Sequence, residues 1–310
     1  MTFTAPPVAA DAPRPAPSFR HRVEYRAALA VRALVRILPD ALSRGFGAAL
    51  GMLFFLIDVR HRRVAQTQLR AAFPRKSDAE CRAITRAAFR HFGRLLTSVL
   101  RFSALSRDQM RARVEYEGEE RVRAAEAAGK GVIFFTGHFG FWEVQALAHA
   151  LVFPPTSLLA RPLDNPLLHD LLERIRTSTG NRLIYKQGAV RQVLAALKQN
   201  EAIAVLIDQH THSADGVMID FFNRPAAATS TVATLALRTG AALVPVFALP
   251  LANGRFRMIY EPPVEMPAET SEDPVRELTQ RCTDVLEMYV RRHPHLWLWM
   301  HRRWRAEEPA

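Results

Sequence analysis

One histidine and one carboxylate stand five residues apart in the segment Gly131-Val-Ile-Phe-Phe-Thr-Gly-His138-Phe-Gly-Phe-Trp-Glu143, which joins an apolar run to a helical pattern. An imidazole oriented by a carboxylate can take a proton from a hydroxyl as that oxygen attacks a carbonyl carbon. The carboxylate then fixes the tautomer and stabilises the imidazolium. On a continuous helix, positions five apart point about 140° away from each other. Gly140 and the strand-to-helix turn are what could bring Glu143 back towards His138. A histidine bonded to nearby backbone and a glutamate opening a helix are the simpler alternative, because such pairs recur by chance. The context favours chemistry. Arg161 follows the apolar run Thr156–Ala160, and Asp208-Gln209 follows Ala202–Ile207. These residues therefore fall at strand carboxyl ends, on the same rim as His138, where ligand sites of open α/β sheets gather. For Asp208 a turn or cap role remains the alternative.

No other nucleophile or phosphate motif competes. The chain has no GxSxG elbow and no HExxH, and position 124, where a Walker A glycine would precede Gly129-Lys130, is alanine. Direct transfer without a covalent enzyme intermediate is the economical mechanism. Cys81 and Cys282 form no CxxC pair, which excludes a disulfide framework and structural zinc and suggests a reducing compartment. The reading calls for no cofactor.

The elements that must carry these residues alternate. After a short strand at Val114–Gly118, short apolar runs at Gly131–Gly137, Thr156–Ala160, Ala202–Ile207 and Ala242–Leu251, with a further candidate at Arg255–Tyr260, are interspersed with helical patterns at Trp142–Leu151, Pro166–Thr179, Ala189–Gln199 and Thr229–Thr239. That alternation predicts an α/β fold with a central, mostly parallel sheet flanked by helices. A last helix is expected over Pro274–Arg292, before a Trp- and Arg-rich tail.

Upstream, residues 1–19 are rich in Pro and Ala and read as a disordered leader, with no signal peptide. Residues 20–60 read as a membrane-associating helical segment, and 61–310 as one catalytic domain. Gly45–Ile57 runs thirteen residues without a charge and is followed by Arg60, Arg62 and Arg63. Thirteen residues fall short of the roughly 20 needed to span hydrocarbon, so a helical hairpin dipping into one leaflet fits better than a span. A buried core helix is the alternative. Gly45–Gly51 follows no strand and reads as small-residue helix packing. Ser77 and Glu80 have capping-box spacing and should open a helix running to about Leu100.

The composition, 49% hydrophobic and 23% charged, excludes a fibre or a mostly disordered chain. With 42 Lys+Arg against 30 Asp+Glu the formal charge is +12, and nearly all of the excess is arginine. Genomic codon bias or acidic partners can explain it. Arginine suits phosphate and carboxylate recognition. In the tail, Trp297, Trp299 and Trp304 interleave with arginines. That pattern suits a bilayer headgroup zone, or else Trp side chains packing the domain beneath solvated arginines. No nucleic-acid reader motif is present, and nucleic acid is not expected as a partner.

These blocks together resemble the bacterial lipid A biosynthesis acyltransferases, the lauroyl/myristoyl transferases within the lysophospholipid acyltransferase superfamily. The family's glycine-flanked His-x4-Glu block is similar to Thr136-Gly-His138-Phe-Gly-Phe-Trp-Glu143. Its arginine block resembles Arg161-Pro-Leu-Asp-Asn165-Pro166. Its acidic and FFGRPA-like blocks resemble Leu206-Ile-Asp208-Gln209, then Asp220-Phe-Phe-Asn-Arg224-Pro225-Ala226 and Thr229-Ser-Thr231. Its tail resembles Pro294-His-Leu-Trp297-Leu-Trp299-Met-His301-Arg302-Arg303-Trp304, and Leu69-Arg-Ala-Ala-Phe73-Pro74 also fits. The resemblance runs from about residue 25 to residue 305 with the blocks in order.

The resemblance implies a glycerolipid acyltransferase-like enzyme at the cytoplasmic face of the inner membrane. It would move a fatty acyl chain from acyl carrier protein to a hydroxyl of a lipid A-type precursor. His138 would be the general base and Glu143 its partner. Arg161 would hold a phosphate or carboxylate of substrate, with Asp208 and Arg224 supporting the site. Phe141 stands where Asn is usual and Asn223 where Gly is usual; the first departure can mean another acceptor, such as a lysophospholipid, glycosyl lipid or aminolipid. An acyl-thioester hydrolase or a non-catalytic membrane-binding protein are the rivals.

Overall fold

The computed structural model describes residues 16–185, 188–211 and 216–304. Most of the expected leader lies outside them. The chain then runs α1 (Phe19–Ile37), α2 (Asp40–Ile57), α3 (Val59–Ala72), α4 (Asp78–Phe102), α5 (Arg107–Arg111), β1 (Val114–Glu117), α6 (Glu119–Ala127) and β2 (Val132–Thr136). It continues α7 (Trp142–His149), β3 (Ser157–Ala160), α8 (Pro166–Thr177), β4 (Arg182–Tyr185), α9 (Ala189–Lys198) and β5 (Ala202–Leu206). The rest is β6 (Gly216–Asp220), β7 (Pro225–Thr229), α10 (Thr231–Thr239), β8 (Ala242–Pro250), β9 (Phe256–Tyr260) and α11 (Pro274–Arg292), followed by a short 3₁₀ turn at Pro294–Leu296.

Seven strands form one sheet in the order β1-β9-β8-β2-β5-β3-β4, parallel throughout except for the β8–β9 pair. The mostly parallel α/β sheet expected from the alternation is present. Two pieces had no clear apolar signature: the edge strand β4 and the β6–β7 hairpin, a separate two-stranded sheet. β2 lies near the middle and is buried at all five positions. Its pleat sends Ile133 and Phe135 into a core with α9, α10, α11 and the tail. Val132 and Phe134 enter a second core with α1, α4 and α7. A strand covered on both faces must read as a continuous apolar run, and it does.

Local chemistry starts and stops the helices. α4 opens on the expected capping box, with Glu80 N donating to Ser77 Oγ at 3.3 Å and Ser77 N to Glu80 Oε2 at 2.8 Å. α2 is longer than the uncharged run suggested, because Asp40 and Arg44 lie in its first two turns. It packs along α4 through Gly47, Gly51 and Gly93. A Cβ at Gly51 would stand 2.0 Å from Phe89 O, and one at Gly93 2.1 Å from Gly47 O, so the small-residue stripe is what lets the two backbones approach. The opposite face leaves Leu42, Leu53, Phe54, Leu56 and Ile57 exposed.

Of the tail, Trp297, Trp299 and Arg303 are buried, at 2%, 0% and 1% exposure. They do not belong to a headgroup zone, and Arg303 is not a solvated arginine. The tail threads back through the domain instead: the Gln68 amide donates to Trp299 O and His301 O, both at 2.6 Å, and Gln68 Oε1 accepts from Arg303 N. Burial lowers the Arg303 pKa to about 10, although the Asp208 charge opposes the shift.

Candidate active site

Strand register assembles the site. β2 and β5 run parallel with Thr136 opposite Leu206, so the residues two steps beyond each strand end, His138 and Asp208, come side by side. His138 Nδ1 lies 2.8 Å from Asp208 Oδ1, and His138 N donates to Asp208 Oδ2 at 2.8 Å. The Trp297 indole Nε1 also donates to Oδ2, at 2.7 Å. Gly137 makes room for this carboxylate, since a Cβ there would stand 3.0 Å from Oδ2.

The electrostatics follow from these contacts. Burial alone would push the His138 imidazole down. The Asp208 charge and hydrogen bond outweigh it, with help from Glu143, and the pKa is raised. Burial would push the Asp208 carboxyl up, but the imidazole charge and the donors from His138 and Trp297 win and lower it. The pair is therefore built to carry opposite charges whenever the imidazole takes a proton.

The turn after His138 is clamped. Gly140 has φ +59°, and a Cβ there would meet Ala248 O at 2.2 Å. Its carbonyl accepts from His91 Nε2 at 3.0 Å, while Gly140 N donates to Leu296 O at 2.9 Å and Leu298 N to His138 O at 3.1 Å. Burial holds His91 neutral, with its pKa pushed down to about 4.

Glu143 was expected to orient His138, and in the structure no hydrogen bond joins the two side chains. Both its oxygens are engaged by Arg176 of α8: Nε donates at 3.0 Å and Nη2 at 2.6 Å. The reason is geometric. Glu143 lies in the first turn of α7, whose side faces α8, whereas the imidazole turns its Nδ1 towards β5. Glu143 reaches His138 through its charge. The residues missed from sequence are thus Arg176 and Trp297. Neither had a local signal: Arg176 is one of two arginines in the last turn of α8, and Trp297 is one of three tail tryptophans.

The other expected residues are scattered along the rim. The Gln209 amide nitrogen stands 3.4 Å from His138 Nε2, on the exposed side of the ring. Arg161 is solvent-exposed, with its side chain at 87% exposure and Asp164 at 3.9 Å. Arg224 is exposed over the Trp304 ring, 5.9 Å from its centroid. Neither arginine touches the His138–Asp208 pair.

The two departures are accommodated. Phe141 stands at the N-cap of α7 without a side-chain cap; its ring stacks on His91 at 5.6 Å and meets Phe256 edge-on at 6.1 Å, on the α4 side. Asn223 has φ +55° and follows Phe222 at +58°, in the β6–β7 turn. Asn is among the few side chains that tolerate that region, so it can replace glycine there.

Beside His138, a narrow slot opens between the sheet and α7. Its mouth holds Thr136, Trp142, Glu143 and Arg176, and Trp142 packs edge-on against the His138 ring at 5.4 Å. Further in, Phe134, Leu158, Ala146, Ala204 and Val246 line it, and His149 and Tyr260 also contribute to its wall. These last two are neutral: burial pushes His149 down to about 3 and Tyr260 well up, and they bond to each other at 3.0 Å. Among the slot's lining residues, charge is confined to the Glu143–Arg176 pair at the mouth. The rest of the lining is mostly apolar.

Comparison with known proteins agrees. The family profile described as bacterial lipid A biosynthesis acyltransferase matches residues 13–306. A lipid A biosynthesis lauroyltransferase of Escherichia coli is 27% identical over 282 residues, 88% of either chain. A lipid A biosynthesis acyltransferase of Haemophilus influenzae is 23% identical over 271 residues, 86% of this chain and 83% of that one. A phosphatidylinositol mannoside acyltransferase of Mycolicibacterium smegmatis is 24% identical over 279 residues, 88% of this chain and 89% of that one. Acyl transfer to a lipid acceptor is what these relatives share, and with the profile matched over nearly its whole length the chain belongs to the bacterial lipid A biosynthesis acyltransferase family.

Proposed function

We propose that this enzyme transfers a fatty acyl group from the thioester of an acyl carrier protein to a hydroxyl of a lipid A-type glycolipid precursor. It does so at the cytoplasmic face of the inner membrane. The observation that carries the reading is the His138–Asp208 pair, with Nδ1 bonded and Nε2 on the more open side of the ring. The acyl chain lies in the slot and its thioester carbonyl sits at the mouth. His138 Nε2 takes the acceptor proton as that oxygen attacks the carbonyl carbon. The C–S bond then breaks, and the leaving thiolate recovers the proton from the imidazolium. Asp208 holds the Nδ1 proton throughout and offsets the transient positive charge. Glu143 and Arg176 shape the mouth, and Gln209 marks the acceptor's side. Arg161 and Arg224 on the rim supply positive charge for an acidic carrier protein and for phosphate-bearing acceptors.

Membrane association is assigned to α1 and α2. α2 is long and apolar enough, by length and composition, to cross a bilayer. Its flank is held by α4, so we assign it to one leaflet, with the exposed face of Leu53, Phe54, Leu56 and Ile57 in lipid and Arg60, Arg62 and Arg63 at headgroup level.

Mass spectrometry of lipid extracts from cells making the wild-type chain or His138→Ala tests the reaction. A lipid heavier by one acyl unit, seen only with wild type, names the acceptor and the chain. Free fatty acid in its place would mean hydrolysis.

A further inference from the structure

We propose that Trp297 is a positioning residue for the general base, its indole N–H pinning Asp208 Oδ2 so that Oδ1 is presented to His138. This rests on the acyl-transfer reading above. The indole is 2% exposed, and its ring packs edge-on against Trp299 at 4.6 Å and against Phe221 at 5.4 Å, so it has no freedom to follow a moving carboxylate. The backbone around it is tied to the catalytic turn at three successive points: Gly140 N to Leu296 O, a bridge between Phe139 and Trp297, and Leu298 N to His138 O. The same short segment thus fixes the base through its main chain and the base's partner through one side chain.

The consequence is electrostatic as well as geometric. Oδ2 accepts two donors, His138 N and Trp297 Nε1, which draw negative charge towards that oxygen and away from Oδ1. Oδ1 therefore stabilises the imidazolium less than an unencumbered carboxylate would. The other charges facing the pair are Glu143 of α7 and Arg176 of α8 on the His138 side, and Arg303 of the tail on the Asp208 side. Glu143 favours the imidazolium, Arg176 opposes it, and Arg303 favours the carboxylate. Removing the indole N–H changes none of these three. It leaves Asp208 more basic at Oδ1 and freer to rotate, so His138 keeps its proton to higher pH while the aligned geometry is lost.

Trp297→Phe deletes the donor and keeps an aromatic ring. On the full-length enzyme, with an acyl carrier protein thioester and a lipid acceptor, kcat/KM on the plateau should fall roughly tenfold. The acid limb of its pH profile should move up by about half a unit or more. An unmoved limb overturns the proposal, whatever the rate, because a packing role lowers yield and melting temperature without changing the base's titration. Should Trp297→Phe not fold, indole-¹⁵N labelling of otherwise native protein gives a second measurement. One indole proton should lie well downfield and shift on Asp208→Asn; no responding indole overturns the proposal. If wild type transfers no acyl group at all, the reaction reading fails, and the indole measurement still decides the hydrogen bond.

Discussion

Replacing Asp208 by Asn separates the two carboxylates that compete for the role of His138's partner. The substitution keeps shape and volume, yet the site cannot accept it without loss. Three donors converge on Asp208: His138 Nδ1–H on Oδ1, and His138 N–H with Trp297 Nε1–H on Oδ2. Asn offers one oxygen and one NH₂. If its oxygen faces the two donors at the Oδ2 position, its NH₂ faces Nδ1. The imidazole must then hold its proton on Nε2, which disables it as a base. If the amide flips, the NH₂ meets two N–H groups and leaves both unpaired, at about 1–3 kcal/mol each. The first arrangement is cheaper, so the wrong tautomer dominates. A loss of this kind lowers kcat by a factor on the order of 10³ to 10⁴, or about 4–5.5 kcal/mol of barrier.

Glu143→Gln should behave differently. It weakens the charged bidentate pair with Arg176, whose side chains are only 17% and 21% exposed, and costs stability by about 3 kcal/mol. At a temperature where the variant stays folded, kcat should remain within about tenfold of wild type. Single-turnover acyl transfer in detergent, paired with thermal melts by circular dichroism, measures both quantities. If Glu143→Gln is inert while well folded, and Asp208→Asn turns over normally, the assignment of Asp208 is wrong.

Three further expectations concern the slot, α2 and the buried histidines. Ala204→Phe should fill the slot, and with about 0.8 kcal/mol forfeited per unburied methylene, preference for a donor two carbons shorter should rise roughly fifteenfold; competition between two acyl carrier protein donors reads this directly. Gly51→Val would drive a side chain into the Phe89 carbonyl, costing about 3 kcal/mol, and should release α2 from α4, seen as faster tryptic cleavage at Arg60 to Arg63. His91 and His149 have folded pKa values of about 4 and about 3, below the ordinary 6.5, so their contribution is present above pH 6.5 and is lost as pH falls from there. Each should lower stability by about 1.4 kcal/mol per pH unit across that window. His91→Gln, which retains a donor for Gly140 O, should reduce the slope in denaturant titrations at pH 4.5 to 6.5 by about 1.4 kcal/mol per pH unit. His138 works in the opposite sense: its raised pKa adds stability that is complete below 6.5 and lost above its folded value, so it acts outside that window.

Much of this architecture is visible in the amino-acid order because its cause is local. β2, β5 and β8 are buried on both faces and read as apolar runs; Ser77 and Glu80 announce the start of α4; Gly47 and Gly51 announce a close helix contact. β4 and the β6–β7 hairpin lack such causes. β4 is a four-residue edge strand with one buried position, and β7 is three alanines between Pro225 and Thr229. The rim was legible for the same reason: His138 and Asp208 each come directly after an apolar run.

The partnership within the rim was not legible, and the reason is physical. Proximity along the chain favours Glu143, but an imidazole's partner is whatever carboxylate its neighbouring strand delivers. That depends on sheet order, which places β5 rather than β3 against β2, and on a register in which both strands overhang equally. Neither property is written in any single segment. The position of Glu143 is likewise settled by a residue 33 places away, since Arg176 claims both its oxygens. Once Asp208 has the imidazole, a second carboxylate at the same nitrogen would add only repulsion. A half-buried acid five residues from the base must then find a cation of its own, and the amphipathic α8 supplies it at the slot mouth. The tail completes the same logic. A carboxylate with four lone-pair sites and only the base's own two N–H groups on it would remain free to turn, and Trp297 supplies the third donor that stops it.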